Sequence, residues 1–251
     1  MKSMALGRGR RLCFAVLLAV LVPAWLVAHP IVPFDGPFYI EREGYTLCYD
    51  GRSRNPIWVY TYLTLDDLTG SAERKDNYRQ DPDLPAHVRS TKPDYKHSGY
   101  SRGHMEPAAN HKDSQKNMDE TFFLSNMAPQ VQDGFNGGTW RTLEQWCRGL
   151  IDHDTSAHII TGPLYLVEVS ADGDRGVSYP VIGGNDVAVP THFYKIVIAE
   201  HADGRRDGYA FILPHRAIYQ PETFWDFEVE IEEAEARAGI ALSPVLKPRG
   251  G

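Results

Sequence analysis

The chain has 251 residues, 42% of them apolar, and carries 26 Lys and Arg against 33 Asp and Glu, a net charge of −7. That length and apolar content suit one packed domain of roughly 200 residues or more and exclude a disordered or fibrous chain. The acid surplus excludes a protein that is basic all over, so any polyanion would have to be met by a local basic patch.

Residues 1–28 hold Lys2, Arg8, Arg10 and Arg11 and no acid, which leaves the remainder more acidic still. The basic cluster 8–11 followed by the apolar run 12–28 reads as a signal peptide, with cleavage expected after Ala28 and a secreted or periplasmic destination. The run is also at the short limit of a membrane span, so an uncleaved anchor, including a mitochondrial address, is the alternative. Residues 29–251 then form a single domain. Cys13 leaves with the signal. Cys48 and Cys147 remain, either as a disulfide suited to an exported protein or as two buried thiols.

Residues 29–41 are Pro-rich and are expected on the surface. Residues 45–50 alternate, with Tyr45, Leu47 and Tyr49 on one side, and 57–65 are β-branched and aromatic; a turn at 52–55 joins them into a hairpin. Residues 66–97 are polar and interrupted by Pro82, Pro85 and Pro93, a long irregular segment of the kind that carries function. Beyond residue 148, strands are expected at 157–166, at 187–199 and at 208–213, with a hairpin turn around Asp203-Gly204. Residues 224–231 alternate as a further strand. A short helix follows at 232–238 and stops at Gly239. The pattern is α+β, an antiparallel sheet core with a few flanking helices.

Chemistry concentrates in residues 98–148. Arg102-Gly103-His104 is followed by Ser125-Asn126 and Pro129-Gln130, then by Asn136, Trp140, Glu144 and Arg148. The last three recur every four residues and share one helical face, beside an apolar stripe of Leu143, Cys147 and Leu150. An i,i+4 ion pair between Glu144 and Arg148 and an N-cap role for Asn136 are the ordinary readings of those residues. Three neutral amides and one imidazole that titrates near neutral pH suit a hydrolytic site with a hard metal ion. Gly99 to Gly103 also matches G-x-S-x-G, which would make Ser101 the nucleophile of an acyl hydrolase. That motif needs an apolar strand before it and a helix after it, and residues 90–98 are polar.

Taken in order, these pieces resemble the DNA/RNA non-specific endonucleases with the ββα-metal fold, most of all the endonuclease G branch and its exonuclease-like relative. Supporting pieces are Pro56-x-Trp58-Val59, Ala109-Asn110-His111, Thr161-Gly162-Pro163-Leu164 and residues 189–195. The resemblance implies an endonuclease that cuts DNA and RNA phosphodiesters to leave 5′-phosphates. It implies His104 as general base, Asn136 as the direct protein ligand of Mg²⁺ (with Mn²⁺ as a possible substitute), and Glu144 holding the ion through a water. It further implies Asn126 and Arg102 shaping the site and contacting phosphate, Arg148 near the scissile group, Tyr78 and Arg79 at the substrate, and a homodimer. Two departures stand out. Ser101 occupies the place where the family usually has Asp, and Glu106 adds an acid two residues from the base, able to raise the His104 pKa, repel phosphate or face solvent. A non-catalytic nucleic-acid-binding protein on the same fold is the alternative that those departures leave open.

Overall fold

A computed structural model describes residues 38–169 and 172–242; residues 1–28, read from the sequence as a signal peptide, lie outside them. In chain order the strands and helices are β1 (Phe38–Glu41), β2 (Thr46–Asp50), β3 (Asn55–Leu63), α1 (Lys92–Tyr95), β4 (Ser101–His104), α2 (Gln115–Glu120), β5 (Met127–Gln130) and α3 (Trp140–Gly149). They continue with β6 (Thr155–Leu164), β7 (Glu168–Val169), β8 (Arg175–Gly176), β9 (Val181–Ile182), β10 (Val187–Ala188), β11 (His192–His201), β12 (Arg206–Pro214), β13 (Glu228–Val229) and α4 (Ile231–Ala238).

Seven of the strands make one antiparallel sheet in the order β1-β2-β3-β6-β11-β12-β13. Its register explains its two faces. Tyr60, Ile160, Ile196 and Ala210 stand opposite one another across four strands, and Thr61, Ile159, Val197 and Tyr209 do so one residue along. Because side chains alternate along a strand, the two rows point to opposite sides. One side packs Leu47, Tyr49, Val59, Ile159, Phe193, Val197 and Phe211 against Trp140, Leu143 and Cys147 of α3. The other packs Cys48, Trp58, Ile160, Ile196, Ile198 and Ala210 against Ile231 and Ala234 of α4. The antiparallel core with flanking helices expected from the sequence is present.

The two-faced sheet also settles the cysteines. Leu47 and Tyr49 look toward α3, so Cys48 between them looks the other way, whereas Cys147 lies on the α3 side. Both are buried and neither is in a disulfide, and burial pushes the Cys147 pKa up to about 12.

Two strand expectations need correction. Residues 224–231 do not form one strand: Phe224–Phe227 is a tight 3-10 turn and only β13 joins the sheet edge. Thr223 and Asp226 close a capping box, the Asp226 carboxylate accepting from Thr223 N at 2.7 Å, and this local closure outweighs the alternation. The run 187–199 is divided at Pro190, which has no N–H for a ladder; β10 pairs with β9 and β11 begins at His192. The irregular stretch 66–97 is as expected, and is tethered by Asp81, which accepts from Arg42 at 2.6 Å and from the Ser125 hydroxyl. The turn at Gly239, with φ 66°, ends α4 as read.

Candidate active site

Outside the main sheet, β4 and β5 pair as a short ribbon with Arg102 opposite Pro129, Gly103 opposite Ala128 and His104 opposite Met127. Gly103 is where this ribbon is tightest. A Cβ there would lie 2.1 Å from Gln130 Oε1, so only glycine lets the buried Gln130 side chain cross beneath it. The chain leaves β5 through a loosely wound segment, Gln132–Thr139, that bends at Gly134 with φ 75°, and then enters α3. Two strands and a helix thus bring Arg102, His104, Asn136, Glu144 and Arg148 to one cavity of about 340 Å³.

The α3 stripe facing that cavity is Arg141, Glu144, Gln145 and Arg148. Trp140, placed on this face by the i+4 spacing, instead turns into the core, stacked on Phe135 with ring centroids 5.7 Å apart. Glu144 has no ion-pair partner among the described residues, and Arg148 donates to Asn110 Oδ1 at 3.1 Å. The ordinary i,i+4 pair is therefore not made. Burial pushes the half-buried Glu144 carboxyl up to about 7, against the pull of Lys195 and Arg148. Lys195 itself is fully buried and donates to Thr161 Oγ1 at 2.6 Å.

His104 is 8% exposed, and its Nε2 is buried without a hydrogen-bond partner. Burial, then the positive charges of Arg74 and Arg102, push its pKa from 6.5 down to about 3. The imidazole is thus neutral at pH 7. Glu106 is not among the groups that shift it, and it does not face solvent. Glu106 is 2% exposed and its carboxylate accepts from Asn110 Nδ2 at 2.9 Å and from His111 Nε2 at 3.0 Å. Burial pulls His111 down, but the bond to Glu106 and its charge outweigh burial and leave His111 raised.

Asn126 is wholly buried and lines neither this cavity nor its neighbour. Its Oδ1 accepts from Glu106 N, and its Nδ2 donates to Glu106 O and Thr121 O, each at 2.9 Å. It therefore clamps the backbone two residues beyond His104. Arg79 is also off the cavity, its guanidinium 3.9 Å above the Phe123 ring and bonded to Asp119 O at 2.7 Å. Tyr78, by contrast, lines it, with Arg102 lying 4.2 Å above its ring. Ser101 makes no nucleophile elbow: it opens a strand, and the single proton of its hydroxyl has Gln132 Oε1 at 2.7 Å and Gln130 O at 3.1 Å as acceptors, the nearer being Gln132.

Asn136 is half-buried, is not an N-cap, and donates its Nδ2 to Gln132 Oε1 at 3.1 Å. That leaves its carbonyl oxygen as the free acceptor on the cavity. No group of three His, Cys, Asp or Glu able to hold a metal occurs among the described residues. One neutral oxygen with a nearby carboxylate suits a hard ion that keeps most of its ligands as water, the habit of Mg²⁺.

A second cavity of about 610 Å³ adjoins the first and shares Arg74, Tyr78, Arg102 and Asn136 with it. The two together are lined by Arg74, Lys92, Lys96, Arg102, Arg141 and Arg148 against Glu144 as the single acid. A third cavity, of about 600 Å³, shows the opposite balance, with Asp66, Asp152, Asp154 and Glu200 and no Lys or Arg. In an acidic chain, the basic groove is thus local and coincides with His104.

A family model described as DNA/RNA non-specific endonuclease matches residues 29–248. The chain belongs to that family. It is 41% identical over 212 residues to human mitochondrial Endonuclease G, an alignment covering 84% of this chain and 71% of that protein. It is 42% identical over 207 residues to Nuclease C1 of Cunninghamella echinulata var. echinulata, covering 81% and 82%. Among solved structures it superposes on the crystal structure of the EndoG/EndoGI complex with a TM-score of 0.79 at 40% identity, covering 83% of this chain and 86% of that one. The protein is a nuclease of the metal-dependent, non-specific class.

Arg74 and Arg141 line the cavity at His104 and Gln132 lines its neighbour, and none of the three is marked by a sequence motif. The spacing 141, 144, 145 and 148 is one helical stripe and would have revealed Arg141. Arg74 and Gln132 sit on irregular segments, where no periodicity marks which way a side chain points.

Proposed function

We propose that this nuclease hydrolyses DNA and RNA phosphodiesters with His104 as general base, Mg²⁺ held directly by Asn136 and through water by Glu144, and Arg102 and Arg148 on the phosphate. The observation that carries the reading is the convergence of a neutral, buried imidazole and an unpaired amide oxygen on one basic cavity.

Nε2 of His104 is buried, so Nδ1 is the nitrogen able to meet a water in the cavity. That water gives its proton to Nδ1 as its oxygen attacks phosphorus, and the bond from phosphorus to the leaving oxygen breaks. A depressed pKa keeps the base empty, and a phosphate that neutralises Arg74 and Arg102 raises its basicity when substrate arrives. Arg102, braced on Tyr78, offers fixed donors to the phosphate oxygens. Arg148, fixed by Asn110, offers a second set. When bound, the divalent ion supplies positive charge against the developing phosphorane and the departing alkoxide. Asn126 acts through the backbone beyond His104 rather than on phosphate, and Arg79 supports the Phe123 segment.

The test is cleavage of supercoiled plasmid by residues 29–251 with Mg²⁺ or EDTA, beside His104→Ala. Mg²⁺-dependent nicking that disappears in the variant supports the reading; equal nicking by both proteins overturns the role of His104. A gel shift without cleavage would favour the binding-protein alternative. The N-terminal segment supports a secreted or periplasmic location. The mitochondrial name of the human relative supports the alternative address. A homodimer is expected from the family, and sedimentation of the same fragment tests it.

A further inference from the structure

We infer that the larger cavity is a subsite for the polynucleotide strand flanking the scissile phosphodiester, with Lys92 and Lys96 on its phosphates and Tyr100 under a base. This deepens the nuclease reading and rests on it. The cavity adjoins the one at His104 and shares Arg102 and Asn136 with it, so a strand whose scissile phosphate sits at His104 has this groove beside it. Its volume of about 610 Å³ falls within the roughly 300–1,000 Å³ of pockets that enclose small ligands, enough for a nucleotide unit.

The charges there are unspent. Lys92 and Lys96 are exposed and have no ion-pair partner among the described residues, while Asp94 between them is buried and committed elsewhere. Its carboxylate accepts from Thr91 N at 2.7 Å and from Asn185 Nδ2 at 2.9 Å, and Asn185 and Thr91 hold its pKa low in spite of burial. The same bonds fasten the α1 turn to residues 183–185, where Gly183 at φ 72° lets the two segments touch. The turn is therefore braced, and Lys92 at its start and Lys96 just past its end both line the same cavity. Lysine pairs presented in this way neutralise phosphates of one strand. The Tyr100 ring, held against His215 at 5.8 Å between centroids, adds a flat surface to the same groove.

The experiment measures binding in a His104→Ala background, by anisotropy of a short fluorescent single-stranded DNA across a salt series. Lys92→Gln/Lys96→Gln is expected to raise Kd roughly tenfold at low salt and to flatten the slope of log K against log salt by about 1.4, or about 0.7 for each phosphate that is no longer neutralised. Lys92→Arg/Lys96→Arg is expected to restore both. Tyr100→Leu should weaken binding about tenfold and leave the slope unchanged, since stacking releases no counterions. An unchanged Kd and slope in the double glutamine variant overturns the subsite. Plasmid cleavage by the protein with His104 intact separates the two readings. If it fails, the nuclease reading falls whatever the lysines do; if it succeeds while the lysine variant binds normally, only the subsite falls.

Discussion

Asn136 and Gln132 are joined by a hydrogen bond of 3.1 Å, and the Gln132 oxygen that accepts it also accepts from the Ser101 hydroxyl at 2.7 Å. The serine that replaces the family's usual aspartate is therefore a donor in a three-membered chain that orients the Asn136 amide, the group proposed to hold the metal. An aspartate at 101 would face that oxygen as a second acceptor and force the Gln132 amide to turn, which would break its bond to Asn136. We expect Gln132→Leu and Ser101→Asp each to lower apparent Mg²⁺ affinity, by roughly 10-fold or more, as losses behind a metal ligand do. Titrating activity against Mg²⁺ checks this; an Mg²⁺ midpoint unchanged in both variants would dismiss the chain of bonds.

His104→Ala should reduce turnover by roughly 10²–10⁴-fold, the usual range for a positioned general base, with the circular-dichroism spectrum preserved. Its companion is a change in acid stability. In the folded protein His104 stays neutral down to about pH 3, whereas in the unfolded chain it protonates near 6.5. Below pH 6.5 the unfolded state thus binds a proton that the folded state refuses, and stability falls by up to about 1.4 kcal/mol per pH unit from this group. Urea unfolding between pH 7 and 4.5 should show a shallower loss in His104→Ala than in the parent protein.

Gly103→Ala should destabilise the fold by about 1–3 kcal/mol, because the new methyl meets the Gln130 amide well inside contact distance. Thermal melting measures it. The companion variant Gly103→Ala/Gln130→Ala, which empties the space, should recover part of the loss.

Asn126→Ala removes three hydrogen bonds around Glu106 and Thr121 and should cost about 2–3 kcal/mol of stability, with buried backbone groups left unpaired. Because Asn126 does not reach the cavity, KM for a short DNA substrate should change little while kcat falls with the displaced His104. A large rise in KM with kcat retained would instead place Asn126 on the substrate.

The architecture was readable where side-chain periodicity carries it. The β2–β3 hairpin, β6, β11, β12 and α4 with its Gly239 stop follow from alternation, apolar runs and turn chemistry. Failures occurred where a local bond overrides the pattern, as Thr223 with Asp226 does at the 224–227 turn, or where a proline cuts a run, as Pro190 does. At the site, the residues on α3 and β4 were legible because regular elements fix their direction. The true stripe begins at Arg141 rather than Trp140, and the four-residue spacing alone could not separate them. Glu106 and Asn126 illustrate the remaining difficulty. Each is polar, close in sequence to His104 or paired beside it, and buried away from the cavity, and only the partners across the fold distinguish a support from a substrate-binding group.

The segregation of charge has a kinetic consequence. A polyanion approaching from most directions meets an acid-rich surface and is turned aside or rotated, while the groove lined by Arg74, Arg102, Arg141 and Arg148 draws it in. Such a distribution is expected to favour encounters in which a phosphate faces the groove. An acidic body around a basic groove is expected to weaken contacts with nucleic acid made anywhere but in the groove.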